Sequence, residues 1–387
     1  MSRTTQQQVM HEASPKTGKV DFKKYLKLKL KQNYPEILGH TQEVHVMIRE
    51  SLDLPKVPVS TLIQEPLEDI LEYVTAEGKN LRTILPIMIA KGFVGDYGKD
   101  TLLIGALTQE AHEFSKILDD IVDNTDKRHN KDTAHKKYGL YMTLLTNSTQ
   151  MGAMFNLVGQ ISDPYIREVA QTWGPFLREI SKGELADIHM EADGNRGDYW
   201  RKNSCAGANI DNGKIPTLND YMHMIDGKTS SMLRTSFGLA VQVAGGSLDQ
   251  IMYARKVGTA TGELHQITDD FNDVYGNPIL TGKPEGGDFG GHKTGNFVVI
   301  TLLNSSKVDI TDREDLLRDI KMGNAFGVKD ALRICNKSKN KEIVTNEYNV
   351  RLKTSLDTAK RNLQYMNDKN MANTLGTFLD LYIQRDH

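Results

Sequence analysis

The stretch LLIGALTQEAHEFSKILDDIVDN, residues 102–124, decides the fold class because it joins a helical apolar pattern to a group of three carboxylates. Its apolar residues recur at spacings of three and four, which predicts an α-helix. Residues four apart share one face of a helix, so Asp119 and Asp123 point to the same side. Phe114 and Ile121 lie on the opposite side. The stretch therefore predicts a buried helix that presents carboxylates at its carboxyl end.

A second acidic group, Asp269-Asp270-Phe271-Asn272-Asp273, follows 150 residues later. Like charges four residues apart destabilise a helix by a few tenths of a kcal/mol, so a cation is expected to compensate them. Mg²⁺ is suited to this role because it takes carboxylate oxygens together with phosphate and water. An amphipathic helix with a solvated acidic face would show the same pattern, and both interpretations stay open. The predicted metal ligands are Asp119, Asp120, Asp123, Asp269, Asp270 and Asp273.

Most of the remaining chain carries the same helical periodicity, and strand-like alternation is rare. We therefore expect an all-α fold, a single large helical bundle over residues 21–387. Residues 1–20 are almost devoid of apolar side chains and predict a flexible tail. Two stretches interrupt the pattern: 193–216, which is rich in Gly and Asn and predicts a surface insertion, and 281–295, whose dense glycines predict a functional loop.

Composition excludes several classes of function. The 387 residues carry 48 Lys and Arg against 50 Asp and Glu, a formal net charge of −2, so no global charge favours nucleic acid or an anionic membrane. Cys205 and Cys335 alone cannot form a disulfide framework or a zinc site. No run of about 18 apolar residues predicts a membrane span. A secretory signal pattern is also absent, so the expected location is the cytoplasm.

Basic side chains near breaks in the periodicity point to an anionic ligand. Lys79 and Arg82, three apart at a predicted helix start, can together hold one anionic group such as a phosphate. His112 falls within about 20° of Asp119 on a helical wheel, so one stripe carries both. Lys228-Thr229 and Lys293-Thr294 add two further pairs. Each lysine taken singly is more often a solvated surface residue.

Taken together and in order, these segments resemble the trans-prenyltransferases, the isoprenyl diphosphate synthases that make geranyl, farnesyl and geranylgeranyl diphosphate. The resemblance extends over roughly residues 67–303 and implies an isoprenoid synthase fold, a helical bundle around a central active-site cavity. The matching segments are GKNLR (78–82, similar to GGKxxRP), His112, DDIVDN (119–124, the first aspartate-rich motif) with Arg128, TAHKKYG (133–139), GELADI (183–188, similar to GQxxD), Lys228-Thr229, QITDDFND (266–273, the second aspartate-rich motif), and Asp288 with Lys293.

The resemblance implies a reaction in which an allylic diphosphate ionises and the double bond of isopentenyl diphosphate attacks the cation. It assigns about three Mg²⁺ to the aspartates. Thr229 and Gln266 would face the cation, and a homodimer is the expected assembly. The implied catalytic residues are Asp119, Asp123, Asp269, Lys228, Thr229 and Gln266; the implied substrate ligands are Arg128, Lys228 and Lys293 for the allylic diphosphate and Lys79, Arg82, His112 and His129 for isopentenyl diphosphate.

Several positions depart from the family pattern. Glu77 and Thr83 replace a Gly and a Pro of GGKxxRP, and Glu184 replaces the Gln of GQxxD. His129 stands in place of an Arg, and a His carries a full charge only below a pKa of about 6.5. His292 replaces a Gly before Lys293. Unless the phosphate raises its pKa, His129 weakens the predicted pocket for isopentenyl diphosphate, while Lys79, Arg82 and His112 keep elongation as the preferred interpretation.

Product length in the family depends on bulk beneath the first aspartate motif. Phe114 is bulky and Ser115 is small, which favours a C15 to C20 product, and Met151 and Gly152 are expected to line the same cavity. Plain core packing of Phe114 and Met151 is an equal alternative.

Three other functions compete with chain elongation. A terpene cyclase or another prenyl-transferring enzyme of this fold would need the aspartates but not Lys79, Arg82 and His112. A non-catalytic partner subunit of a prenyl synthase would need no intact aspartates. A nucleotide-binding P-loop at 287–294 is discarded because His292 occupies a required glycine position.

Overall fold

A computed structural model gives the architecture, which is built almost entirely from α-helices, and the predicted fold class is confirmed. Among the described helices, none combines the length and the apolar character that a membrane crossing needs. The predicted tail, Lys79, His129 and most of the predicted insertion lie outside the described residues. The structure describes residues 22–52, 70, 73, 81–128, 131–192, 214–278 and 285–384.

The described α-helices vary from 4 to 28 residues in length. A two-stranded antiparallel hairpin, in which Lys127 lies opposite Asp132, follows the first aspartate group. In chain order the elements are α1 (Phe22–Asn33), α2 (Pro35–Leu52), α3 (Leu81–Val94), α4 (Lys99–Val122), β1 (Lys127–Arg128), β2 (Lys131–Asp132), α5 (Ala134–Lys137), α6 (Leu140–Gly159), α7 (Ile166–His189), α8 (Leu218–Ile225), a π-helical turn (Asp226–Ser230), α9 (Ser231–Val243), α10 (Leu248–Tyr275), α11 (Gly287–Gly290), α12 (Phe297–Asn304), α13 (Ile310–Met322), α14 (Ala325–Cys335), α15 (Ser338–Leu363) and α16 (Lys369–Ile383).

The chain divides into two compact units. The first consists of Met1–Phe176, Met232–Gly258 and Thr358–Arg385, and the second consists of Leu177–Ser231, Thr259–Asp357 and Asp386–His387. The expected single domain over 21–387 stays a prediction, and each unit is described by itself.

The first unit is organised around α3 and α4, which pack against each other. Most residues of α3 are buried, including Ile87 and Met88, and α4 buries Leu103 and Leu107 completely. Burying a large apolar side chain stabilises a fold by about 1.5–3 kcal/mol. The long apolar run at the start of α4 therefore fixes the helix whose other end carries Asp119.

The second unit brings α7 very close to the π-helical turn. A Cβ on Gly183 would lie 2.6 Å from the carbonyl carbon of Gly227, so only a glycine permits this approach. The contact brings the backbone of Lys228 alongside the next turn of α7, which carries Glu184 and Asp187. The GELADI segment thus has a packing role.

Candidate active site

The first aspartate group occupies the carboxyl end of α4, where the helix dipole is unfavourable for negative charge. Arg128 compensates for it. The Nε of Arg128 donates to Asp120 Oδ1 at 2.8 Å, and Nη2 donates to Asp119 Oδ2 at 3.1 Å. Arg128, which the resemblance assigned to the allylic diphosphate, thus lies against the first aspartate group, and that assignment stays a prediction.

A tight reversal of the chain makes the contact with Arg128 possible. Asn124 follows the helix with a φ of 50°, a left-handed conformation that Asn tolerates better than most residues. The hairpin β1–β2 then returns Arg128 to the end of α4. Lys136 donates from Nζ to Asn124 Oδ1 at 2.9 Å and so supports the turn.

Asp120 differs from its two neighbours in the same group. Its side chain is buried, and burial raises its pKa, whereas Arg128 acts in the opposite direction. Asp119 and Asp123 are half-buried and lie nearer the solvent. This arrangement suits Asp120 to holding Arg128 and leaves Asp119 and Asp123 better placed for a metal ion.

The described part of the predicted isopentenyl diphosphate pocket also lies in the first unit. Arg82 lies in the first turn of α3 and His112 lies near the middle of α4, and both side chains are half-buried. Lys79 and His129 belong to the same predicted pocket, but they lie outside the described residues.

The chain-length assignments stay predictions. Phe114 is buried, and Ser115 donates from Oγ to the His112 carbonyl at 3.0 Å within α4. Met151 and Gly152 lie on the exposed face of α6.

The second aspartate group lies near the carboxyl end of α10. Asp270 is buried and accepts hydrogen bonds from the Phe297 amide at 3.0 Å and from Gln266 Nε2 at 2.8 Å. Burial and the nearby Asp288 carboxylate raise the pKa of Asp270 to about 7, against the effect of these hydrogen bonds. Asp269 remains half-exposed. Asp270 is thus held inside its unit, whereas Asp269 stays more accessible to solvent.

Asp273 holds the glycine-rich segment. Its Oδ1 accepts from the Gly287 amide at 3.1 Å, and its backbone carbonyl accepts from the Gly286 amide at 2.7 Å. The predicted functional loop contains the single turn α11, and Asn296 donates from Nδ2 to Asp288 Oδ2 at 2.9 Å. No pattern in the sequence predicted this role of Asn296.

Thr229 and Gln266 form one hydrogen-bonded relay. Thr229 Oγ1 donates to Gln266 Oε1 at 2.8 Å, and the amide nitrogen of Gln266 donates onward to Asp270. The relay fixes the orientation of the Gln266 amide. The two side chains that the resemblance assigned to the reacting cation are thus hydrogen-bonded to each other in the second unit.

Two lysines of the second unit share one carboxylate. Lys228 Nζ lies 2.8 Å from Asp187 Oδ2 and 3.0 Å from Glu184 Oε2, and Lys293 Nζ lies 3.3 Å from Asp187 Oδ2. Asp187 is buried, so its charge holds both ammonium groups close together. The sequence matched Asp187 to a motif without assigning it this role.

The donor chemistry fits a hard divalent cation, because the six predicted ligands are all carboxylates. Among residues 22–384 as far as the structure describes them, no three His, Cys, Asp or Glu side chains converge into a closed metal cage. Mg²⁺ suits such an open arrangement, since it usually keeps several waters and takes one or two carboxylates together with substrate phosphates.

A cavity of about 620 Å³ lies on the glycine-rich segment of the second unit, next to α14. Gly286, Gly287 and Leu332 are among its lining residues, whereas no aspartate of the two groups lines it. We therefore do not assign the chemistry to this cavity.

Comparison with known proteins places these features in a family. The polyprenyl synthetase family model matches residues 64–333, more than half of the chain. A short chain isoprenyl diphosphate synthase of Methanocaldococcus jannaschii is 28% identical over 260 residues, which cover 66% of this chain and 70% of that protein. A geranylgeranyl diphosphate synthase of Sulfolobus acidocaldarius is 26% identical over 312 residues, which cover 79% of this chain and 83% of that protein.

Two solved structures share the fold. The polyprenyl synthase of Caulobacter crescentus, complexed with calcium and isoprenyl diphosphate, aligns with a TM-score of 0.74 and 16% identity, covering 94% of this chain and 98% of that one. The geranylgeranyl pyrophosphate synthetase of Pyrococcus horikoshii aligns with a TM-score of 0.74 and 20% identity. The alignment covers 92% of this chain and 99% of that one.

Proposed function

This chain belongs to the polyprenyl synthetase family and is a prenyltransferase of the isoprenyl diphosphate synthase type, and from that premise we propose the details of its reaction. It condenses isopentenyl diphosphate with an allylic diphosphate, head to tail, to give a C15 to C20 trans-prenyl diphosphate. Enzymes of this family depend on magnesium in general, and we propose about three Mg²⁺ per active site. The expected cytoplasmic location stays a prediction.

One observation supports the proposal: each unit contains a buried carboxylate that is paired with basic side chains. The same unit also contains half-exposed aspartates. Asp120 holds Arg128 beside Asp119. Asp187 holds Lys228 and Lys293 in the unit of Asp269. Carboxylates for a metal combined with pre-oriented cations are the groups that a diphosphate leaving group requires.

The aspartates and cations serve the departure of the allylic diphosphate. Asp119, Asp123 and Asp269 hold Mg²⁺, with Asp120, Asp270 and Asp273 as supporting members of the same groups. Bound Mg²⁺ supplies Lewis acidity toward the developing negative charge. Arg128 in the first unit, and Lys228 and Lys293 in the second, neutralise diphosphate oxygens by charge-assisted hydrogen bonds.

The second substrate is positioned by a separate set of cations. Lys79, Arg82, His112 and His129 bind the isopentenyl diphosphate group, so that its double bond is oriented for attack, an effect of proximity. Thr229 and Gln266 present neutral oxygens toward the allylic cation, and their mutual hydrogen bond keeps them in place. The adduct then loses a proton to give the new double bond.

An incorporation assay tests the proposal. Labelled isopentenyl diphosphate is mixed with the enzyme, Mg²⁺ and dimethylallyl, geranyl or farnesyl diphosphate, and the alcohols are separated after phosphatase treatment. We expect labelled C15 or C20 alcohol. A cyclic hydrocarbon formed from the primer alone would assign the chain to the cyclases. Absence of turnover with every primer would favour a non-catalytic subunit.

Glu184 is expected to limit the affinity for the allylic diphosphate. Lys228 lies between the carboxylates of Glu184 and Asp187, which together compensate its charge. Glu184→Gln removes one negative charge beside the diphosphate, so we expect the KM for the allylic substrate to fall about three- to tenfold. Steady-state kinetics at fixed isopentenyl diphosphate measures the change.

Glu179→Gln is the matched control, because Glu179 lies on the same helix but forms an exposed pair with Lys182. It should leave both KM values unchanged. An unchanged or higher KM for the allylic substrate in Glu184→Gln would contradict the assignment.

The exposed face of α6 supports the proposed homodimer. Tyr141 and Phe155 are 81% and 59% exposed, whereas the buried face of the same helix carries polar residues such as Thr146 and Asn147. Clustered exposed apolar side chains mark interaction surfaces, and a second copy of the chain is the occupant we propose. The apolar residues that share this exposure on α6 are Leu140, Tyr141, Met142, Leu144, Leu145, Met151 and Phe155.

A charge on this face should weaken the homodimer. We expect Phe155→Glu to raise the dimer dissociation constant at least about tenfold, because a carboxylate would have to be buried. Analytical ultracentrifugation over a range of concentrations measures it. Phe326→Glu, at an 80% exposed position of α14, is the control. A wild-type monomer, or a dimer that resists Phe155→Glu but not Phe326→Glu, would refute this interface.

A further inference from the structure

His292 has an unusual backbone conformation within the glycine-rich segment. Its φ is 60°, in the left-handed region where glycine is normally preferred, and it directly precedes Lys293. A side chain at this φ is strained, so its retention requires a compensating contact.

The His292 ring makes this compensating contact in a notch at the end of α13, beside Gly323. Gly323 ends this helix with a φ of 58°, and a Cβ on Gly323 would lie 2.5 Å from Nδ1 of the His292 ring. The ring therefore occupies the space that a side chain at 323 would fill. Its Nδ1 donates to the Ile320 carbonyl at 3.2 Å, because a carbonyl can only accept.

The backbone of the same segment is held on its other side by the chain that follows α7. The Ala192 amide donates to the His292 carbonyl at 2.7 Å, and the Thr294 amide donates to the Met190 carbonyl at 3.1 Å. Lys293 pairs with Glu191 in an antiparallel bridge between these contacts. Three residues of the segment are thus fixed between α13 and the end of the helix that carries Asp187.

We propose that His292 is a positioning residue for Lys293. Its ring, seated in the notch at Gly323, fixes the backbone from which the Lys293 ammonium reaches Asp187. The ring touches no substrate and acts only through Lys293, whose role in holding the allylic diphosphate rests on the proposed function. Glycine at 292 would relieve the strained backbone but would remove the anchor.

A set of substitutions tests this role. We expect His292→Gly to raise the KM for the allylic diphosphate about tenfold and to change kcat less than about twofold, since it misplaces a binding group. Gly323→Ala should give a similar rise because its Cβ displaces the ring. The double variant should be no worse than either single variant. In a Lys293→Ala background, His292→Gly should have no further effect.

Binding provides a readout independent of turnover. Calorimetric titration with inorganic pyrophosphate in Mg²⁺ should show the same loss of affinity for His292→Gly and Gly323→Ala. Gly245→Ala is the control for strain alone, because Gly245 has a φ of 84° and its Cβ would come no closer than 3.8 Å to a neighbouring atom. It should lower the melting temperature without changing pyrophosphate affinity.

Three outcomes would overturn the proposal: additive losses in the double variant, a His292→Gly effect that persists without Lys293, or retained pyrophosphate affinity in His292→Gly. A wild type that binds pyrophosphate but incorporates no isopentenyl diphosphate would refute the proposed function, while the binding comparison would still decide the role of His292.

Discussion

Asp119→Asn and Asp269→Asn are each expected to lower kcat/KM for condensation at least about a thousandfold, about 4 kcal/mol of transition-state stabilisation. Asn preserves the shape of the side chain but removes the charge that a hard cation requires. Both aspartates are half-exposed, so neither replacement should unfold the protein. Steady-state kinetics over a range of Mg²⁺ concentrations measures the loss, together with a melting curve.

Asp249→Asn is the matched control for these variants. Asp249 lies in the first turn of α10, on the same helix as Asp269, and is exposed. Its replacement should leave the kinetics unchanged. If Asp119→Asn or Asp269→Asn retained activity within tenfold of the wild type, the corresponding group would not act on the diphosphate.

Glu110→Gln is expected to have the largest effect on stability. Glu110 lies on α4 and is completely buried, and among the described residues neither of its carboxylate oxygens has a hydrogen-bond partner. Burial and the neighbouring charge of Glu113 raise its pKa to about 8, and the nearby Gln150 amide only partly opposes them. The folded protein therefore retains a proton that the unfolded chain releases above the ordinary glutamate pKa of 4.5.

The sign of the pH dependence follows from this difference. Below pH 4.5 the carboxyl is neutral in both states and costs no ionisation energy. As pH rises toward 8 the unfolded chain ionises first, so the free energy of unfolding falls, by about 4 kcal/mol between about pH 5 and pH 9 for this one group. Glu110→Gln should abolish that decline, and urea denaturation across this range measures it.

Glu342→Gln, at an exposed position of α15, is the control and should leave the pH profile unchanged. Parallel wild-type and Glu110→Gln profiles across the same pH range would mean that Glu110 does not retain its proton when folded.

The sequence predicted those parts of the molecule that depend on local spacing. The apolar pattern from Leu102 and the pair Asp119 and Asp123 identify α4, which extends over Lys99–Val122. The glycines of 281–295 predicted a loop, and the described part of it contains the single turn α11. Local periodicity is sufficient in such cases because one helix or one loop contains the whole signal.

Contacts between distant residues could not be predicted in this way. Asp269 and Asp270 are adjacent in sequence, yet Asp270 is buried because the Phe297 amide, 27 residues away, binds its carboxylate. Lys228 and Lys293 meet at Asp187 only after the chain has folded. No periodicity distinguishes a carboxylate that supports the structure from one that faces a ligand.

The pattern of α6 misleads for a physical reason. An apolar face normally predicts the buried side of a helix, but in the first half of α6 Tyr141 and Leu145 are exposed while Thr146 and Gln150 are buried. The second half of α6 buries apolar side chains such as Leu157 in the usual way. Exposed apolar side chains of this kind are expected where a partner covers the helix, which a single chain cannot reveal.

Calorimetric titration of inorganic pyrophosphate into the wild type, Asp119→Asn and Asp269→Asn, each with and without Mg²⁺, tests most directly whether each aspartate group acts on a diphosphate through Mg²⁺. We expect the wild type to bind pyrophosphate only with Mg²⁺, and each single variant to lose most of that affinity. Strong binding without Mg²⁺, or wild-type affinity in either variant, would contradict this account.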